Sequence, residues 1–436
     1  MDKNNFDEWS CNERGTAKYT LVNSDCRRWY QRDIDQITHS TGFRKLQKKS
    51  QLLSEKDPRS RSRLIHTIEV SRIAMEISER LGLSKELTEA ISLGHDIGTS
   101  PYGCIGNRFL QEKVGDDFSH ENAGYLMLIR IAQKETSDDE EIAEIAQAID
   151  NNKDYITKES CNFNFDLMVS TLSFDTSDSN EKYFIHAISP EVLDGVRNHG
   201  DNGSPNTLEG QVVKFADNIA YLSQDIEDLL STKIAMKKTF VGKAKAERLN
   251  LSIKDESTSK IGKNEMKTWD EINSYSKIPL NNAFSQIRGK RISAFVDRFV
   301  DYNLQSLSKD TLKNKPSSIL NKEIPQLECD PGLCFVIDYL WNFIEGYYDN
   351  VLIKTSNAIQ EAKMVQLWEI LNDSKFKNRN IYYKNFIDNI SKNSLFAKKS
   401  PDWITAYFIS HLSWFEVDLI IDSFHERNYN FDLDLD

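Results

Sequence analysis

Apolar residues at helical spacing recur along this chain, and the alternation that marks a half-buried strand is rare. That pattern leaves helix-on-helix layers as the way to build a core, so an all-α fold is expected. No repeat of fixed period is visible. One apolar run, Leu87, Ala90, Ile91 and Leu93, ends in adjacent His95 and Asp96, followed by Gly98 and the loop Thr99-Ser100-Pro101-Tyr102-Gly103. Side chains of neighbouring helical residues point about 100° apart. His95 and Asp96 therefore converge only near a helix end, or on something that accepts both, such as a metal ion.

The length of 436 residues suits one large core or about two to three ordinary domains. With 55 basic and 67 acidic residues the net charge is −12, which disfavours broad nonspecific attachment to nucleic acid but leaves room for a local basic pocket. The six cysteines are scattered without a CxxC pair, so neither a disulfide framework nor a zinc ribbon is implied. No apolar run approaches the roughly 20 residues that span a membrane. The polar start Met1-Asp2-Lys3-Asn4-Asn5 is unlike a signal peptide, and a cytoplasmic protein is expected.

The expected organisation is an irregular arm over residues 1–26, a helical core over 27–305 and a C-terminal helical region over 306–436. A Lys-rich, mobile surface insertion over 233–267 interrupts the core. A helix is expected over 63–81, with Leu64, Ile65, Ile68, Ile73, Ile77 and Leu81 forming the apolar face and His66 beside it. Gly82 ends that helix and Ser84 caps the next. Further helices are expected over 141–150 and 163–174. Ser189-Pro190 starts another, 208–228 forms a long amphipathic one, and 403–424 is helical and aromatic-rich.

Asp217, Tyr221 and Asp225 stand at i, i+4 and i+8, so they share one helix face. A solvated face would pair such acids with Lys or Arg; here an aromatic ring lies between them. Arg44, Lys45 and Gln51 belong to a basic stretch that reads either as a solvated helix face or as a supply of cations for an anionic ligand. His66 reads either as a satisfied core residue or as a ligand. Together His66, His95, Asp96 and Asp217 make a mixed N/O set. It suits Mn²⁺, Fe²⁺, Co²⁺, Ni²⁺ or Zn²⁺ better than Ca²⁺. One ion held this way could polarise a phosphoryl oxygen, with His120 as a general acid and Arg44, Lys45 and Arg63 as phosphate counter-charges.

The order H…HD…D on helices resembles the HD phosphohydrolase superfamily. Phe43-Arg44-Lys45-Leu46-Gln47-Lys48-Lys49-Ser50-Gln51 and Arg61-Ser62-Arg63-Leu64-Ile65-His66 are similar to its dGTPase-like deoxynucleotide triphosphohydrolases. So are Phe118-Ser119-His120-Glu121-Asn122, the stretch 191–199 ending in His199, and the helix over 209–228. The resemblance covers roughly residues 27–305 and implies an HD-domain helical core. It implies that His66, His95, Asp96 and Asp217 bind one divalent ion per subunit, Mn²⁺ or Mg²⁺ first, with Fe²⁺, Co²⁺, Ni²⁺ or Zn²⁺ as alternatives. Arg63 would hold the triphosphate, Gln51 and Asp225 the sugar 3′-hydroxyl, and Tyr221 would pack where a ribose 2′-hydroxyl would sit. His120 would act near the phosphates. The implied reaction converts a dNTP and water to deoxynucleoside and triphosphate, in a homo-oligomer (tetramer or hexamer) with nucleotide or single-stranded DNA as effector. By analogy such an enzyme depletes dNTPs, including in antiphage defence.

The chain departs from the family in one loop. Cys104 and Asn107 stand where the family keeps a proton-transferring His and acid, and Thr99 stands where another His is often found. The alternative expectation is a dNTP-binding sensor or regulatory subunit that has lost turnover. A nucleotidase or cyclic-nucleotide phosphodiesterase is disfavoured, because Gln51, Tyr221 and Asp225 serve a deoxyribose.

Overall fold

The computed structural model describes residues 29–50, 61–116, 118–133, 188–231, 284–310, 326–348, 351–392, 396 and 398–426. The arm 1–26, Gln51, the helices expected over 141–150 and 163–174, and the insertion over 233–267 lie outside the described residues. Among the described residues the fold is all-α, and an isolated antiparallel bridge between Ser50 and Ser62 is the one extended pairing. The first helices are α1 (Trp29–His39), α2 (Thr41–Lys45, running into a 3₁₀ turn over Leu46–Lys48), α3 (Arg63–Leu81) and α4 (Lys85–Gly94). They are followed by α5 (Gly103–Val114), α6 (His120–Gln133), α7 (Pro190–Asn198) and α8 (Leu208–Ser231). The later helices are α9 (Phe284–Asp310), α10 (Pro331–Tyr348), α11 (Val351–Asn372), α12 (Ser374–Arg379), α13 (Ile381–Lys392), α14 (Pro401–Ser410) and α15 (Trp414–His425).

Helix α3 is the spine of the site. It ends where Gly82 turns to φ 78°, a left-handed conformation that costs glycine little, and Ser84 Oγ then accepts the Leu87 N–H at 3.4 Å to start α4. The buried stripe of α3 runs through His66, Val70, Ile73, Ile77 and Leu81. The expected apolar face is thereby corrected: Ile65 and Ile68 are 46% and 44% exposed, while His66 lies on the buried face rather than beside it. The stripe follows i, i+4, i+7, i+11 from His66, and Ile65 and Ile68 sit about 100° or more around the helix from it. Apolar character in them did not decide burial; phase did.

Helix α3 packs against α4 and α8, α7 closes over α4 and α8, and α6 packs on α7. Gly98 makes a further approach possible at the site, that of α6 on the loop after Asp96. A Cβ there would lie 2.1 Å from Gly124 N and 2.2 Å from His120 O, so only glycine lets the first turns of α6 press against the loop after Asp96. Helix α7 begins at Pro190 as expected, but Ser189 Oγ donates to the Asp33 carboxylate of α1 instead of capping the helix.

The hydrophobic core continues without a break into the C-terminal helices: α11 packs on α5 and α15, and α14 on α5 and α6. Each fully buried Leu, Ile or Phe side chain in it contributes about 1.5–3 kcal/mol. The aromatic segment over 403–424 is two helices rather than one, bent by 119° at the break between Ser410 and Trp414. Ser413 and Glu416 form a full capping box that restarts the helix. Glu416 also takes the buried Lys45 ammonium at 2.7 Å. The Lys49 ammonium donates to the carbonyls of Thr99 (2.5 Å), Ser410 (2.8 Å) and Ile97 (3.4 Å), tying the loop after Asp96 to α14. Among the described residues no single helix is long and apolar enough to cross a membrane.

Candidate metal centre

Four side chains from two helices and the end of a third meet in the core. His66 comes from the second turn position of α3, His95 and Asp96 from the end of α4, and Asp217 from the middle of α8. His66 and His95 are fully buried, Asp96 nearly so, and Asp217 is partly open to solvent. His66 Nε2 lies 2.9 Å from Asp217 Oδ1 and 3.9 Å from Asp96 Oδ2; His95 Nε2 lies 3.6 Å and 3.8 Å from the same two atoms. Ligands about 2.1 Å from one ion lie roughly 3.0–3.4 Å apart when adjacent and about 4.2 Å apart when opposite, and these separations fall in or close to that range.

The proton positions sharpen the fit. Gln224 gives its NH₂ group to the Glu69 carboxylate, so its Oε1 accepts from His66 Nδ1 at 3.0 Å. His95 Nδ1 donates to the Ser92 carbonyl at 2.6 Å. Both imidazoles therefore turn an Nε2 lone pair inward. For His66 that lone pair faces a carboxylate oxygen, an arrangement that repels unless a proton or a cation lies between. His95 Nε2 is buried without a hydrogen-bond partner. The donor set, its burial and its lone-pair directions fit a divalent cation with N/O preference.

Electrostatics agree. Burial alone would raise Asp96, but Arg63 and the flanking histidines hold its carboxyl far below the usual carboxylate range. Asp217 is likewise held low, against its burial, by His66 and His95. Burial would lower His95, but Asp96 and Asp217 raise it to about 9. Without a cation these interactions favour ionised Asp96 and Asp217 and oppose loss of a second proton from His95; a cation that uses Nε2 competes with that proton.

The surroundings distribute the remaining candidates. Arg63 Nη1 donates to Asp96 Oδ2 at 3.1 Å, and its Nη2 lies 3.6 Å from Cys104 Sγ. Tyr221 stands edge-on to His66, with ring centroids 6.0 Å apart, and its hydroxyl is 3.3 Å from Cys104 Sγ. Asp225 lies two turns further along α8 on the expected face and is fully buried. Arg44 is engaged locally, donating to the His39 carbonyl and to Thr41 Oγ1, both at 2.6 Å. Cys104 is exposed. Asn107 Oδ1 accepts the Ser100 N–H at 2.9 Å, so this side chain holds the loop after the HD pair in shape. Thr99 Oγ1 donates to Asp96 Oδ1 at 2.6 Å, which explains a hydroxyl in place of a ring there.

Several residues escaped the sequence reading. Gln224 and Glu69 orient His66; Gln224 continues the Asp217–Tyr221 face at i+7, a spacing that could have flagged it. Trp341 on α10 stacks on Tyr221 (5.6 Å, 27°) and donates to Asn218 Oδ1 at 3.1 Å. No local signal in the sequence links α10 to α8. His199 and Glu121 stand with His120 in a second cluster next to His95. The rings of His95 and His199 are 5.1 Å apart and those of His199 and His120 5.3 Å. Burial, together with the neighbouring His95 and His120, lowers His199 to about 4. Burial would raise Glu121, but His120 and His199, with hydrogen bonds from Ser119 and the Glu121 backbone, together lower the carboxyl.

Comparison with known proteins follows the same residues. A family model described as HD domain matches residues 63–222, the interval that holds all four ligand candidates. The chain is 31% identical over 256 residues to a deoxyguanosinetriphosphate triphosphohydrolase-like protein of Caldanaerobacter subterraneus, covering 57% of this chain and 61% of that protein. Proteins of the same description from Clostridium perfringens (30%, 51% and 55%) and Neorickettsia sennetsu (33%, 50% and 50%) match similarly. The chain spans half to about three fifths of the length of these curated relatives. The chain thus carries a match to the HD domain over residues 63–222 and is similar, over about half of its length, to proteins described as deoxyguanosinetriphosphate triphosphohydrolase-like.

Proposed function

We propose that this protein is a metal-dependent dNTP triphosphohydrolase, converting a dNTP and water to deoxynucleoside and inorganic triphosphate. The observation that supports this reading is that a guanidinium and an aromatic ring flank one cluster of candidate ligands. Arg63 sits on Asp96, and Tyr221, backed by Trp341, stands against His66. When bound, a divalent ion held by His66, His95, Asp96 and Asp217 would supply Lewis-acid polarisation of a phosphoryl oxygen. Arg63 offers a planar, permanent charge to phosphate oxygens. Tyr221 packs against the sugar and leaves a 2′-hydroxyl without room or partner. Asp225 and Gln51 take the 3′-hydroxyl. His120, partly open at the start of α6, hands a proton to the departing 5′-oxygen as water adds at the α-phosphorus. A cell carrying this activity has less dNTP for DNA synthesis, its own or a phage's. The active form in this reading is a homo-oligomer, a tetramer or hexamer, with nucleotide or single-stranded DNA as effector.

A second reading, a dNTP sensor without turnover, is favoured by Cys104 and Asn107, since neither is a competent acid or base and Asn107 is spent on Ser100. Product analysis decides between them. Protein loaded with Mn²⁺ and incubated with each of the four dNTPs should release triphosphate. Binding of a dNTP without release supports the sensor, and release of orthophosphate or pyrophosphate instead overturns both readings.

A further inference from the structure

We propose that His120, Glu121 and His199 form a second divalent-cation site, adjoining the first and sharing a wall with it through His95 and His199. Their candidate ligand atoms all lie within 4.8 Å of one another, and His120 Nδ1 and Glu121 Oε2 are 3.3 Å apart, the separation of adjacent ligands on one ion. His199 repeats the arrangement of His95: its Nδ1 donates to the Val196 carbonyl at 2.7 Å, which turns the Nε2 lone pair inward in a buried position.

The backbone around the cluster is shaped to it. A Cβ on Gly200 would come 2.0 Å from Glu121 Oε1, so the absence of a side chain at 200 leaves the carboxylate its seat. Lys214 secures that turn by donating to the carbonyls of Gly200, Asp201 and Gly203 at 2.7–2.9 Å. Gly98 lets α6 approach closely enough for His120 to reach the cluster. The competing occupant is an anion, which the start of α6 would otherwise favour. Glu121 in the first turn of α6 opposes it: a carboxylate beside two imidazoles repels a bare anion and completes an N/O ligand set for a cation. With a triphosphate present, an ion here would neutralise phosphate charge, and His120 would then serve as its ligand instead of donating a proton to the departing 5′-oxygen. The site's existence stands on the geometry; its role rests on the hydrolase reading above.

The test counts Mn²⁺ alone on the full chain, by metal analysis after equilibrium dialysis and by titration followed through the signal of free Mn²⁺. Wild type should bind two ions per protomer. His199→Ala and Glu121→Gln should each retain one ion and weaken the other by at least about 100-fold, more than is typical when only a group supporting a ligand is removed. Gly200→Ala, which displaces Glu121 without deleting a ligand, should weaken the same ion and serves if His199→Ala fails to fold. One ion in wild type, or two undiminished in Glu121→Gln and Gly200→Ala, overturns the proposal. Two ions with no triphosphate released from any dNTP would keep this site and remove the hydrolase reading. One ion with triphosphate released would do the reverse.

Discussion

The two sides of the centre differ in how they are built. His66, His95 and Asp96 project from the buried faces of α3 and α4, and each is held by a second group: Gln224 on His66, Ser92 on His95, Arg63 and Thr99 on Asp96. Cys104 and Asn107 stand on the other side, in the first turns of α5, where Cys104 is exposed and Asn107 serves the loop. Residues locked by packing and by partners cannot change without opening a buried charge. Cys104, at a helix start and facing solvent, can change at small structural cost, whereas Asn107 is tied to Ser100 and Thr99 to Asp96.

The largest effect should come from the locked side. Asp217→Ala removes a charged ligand and leaves His66 and His95 turning lone pairs into a cavity with one carboxylate fewer. Metal analysis should find the ion at this centre lost, with activity falling below detection; the metal-free protein should stay folded but melt lower near neutral pH, because His66 and His95 lose the carboxylate that faces them. Equal metal content in wild type and variant would separate Asp217 from the ligand set.

The next effect tests the changed side. Cys104→His combined with Asn107→Asp returns a ring and a carboxylate to their places; Asp is isosteric with Asn and keeps the acceptor for the Ser100 N–H. A positioned acid or base is worth a factor of about 100 to 10,000, and turnover should rise by at least the lower figure with dNTP affinity nearly unchanged. A fall in turnover would mean that Cys104 or Asn107 already performs the chemistry by another route.

The same contrast governs what could be read from the sequence. Period and capping residues located α3, α4 and α8, because each has an unbroken apolar phase and a local start or stop signal such as Gly82 or Ser84. The convergence of His66, His95, Asp96 and Asp217 was legible only in part: His95 and Asp96 end a run whose apolar phase marks it as buried, whereas His66 was expected beside the apolar face and lies on it. The break between α14 and α15 went unread although the Ser413–Glu416 capping box was present, since the aromatic content on both sides hid the change of direction. Trp341 and Gln224 were not legible for different reasons. Trp341 reaches Tyr221 only through the packing of α10 on α8, a contact between residues 120 apart in the chain. Gln224 needed its partner Glu69, three residues beyond His66 on another helix, before its spacing meant anything.

The smallest predicted effect concerns pH and separates proton from cation at the locked side. His95 keeps its Nδ1 proton on Ser92, so any second proton sits on Nε2, facing Asp96 and Asp217. Burial opposes that proton, but the two carboxylates raise His95 to about 9 from an ordinary value of 6.5. A group whose folded pKa is raised stabilises the metal-free protein fully below its unfolded value and loses that contribution as pH rises through the folded one. Asp96 and Asp217 are depressed, so their contribution is present above their unfolded value of 3.8 and is lost as pH falls further. The metal-free protein should therefore melt highest between about pH 4 and 6.5 as far as these groups decide it, and decline towards pH 9. A cation must displace the His95 proton to bind, so its apparent affinity should climb about tenfold per pH unit up to that point. Calorimetry at pH 7.5 in buffers of different ionisation enthalpy should find about one proton released for the ion at this centre. Affinity that is flat from pH 6.5 to 8.5, with no proton released, would show that the carboxylates leave His95 neutral and that the centre is open to a cation at any of these pH values.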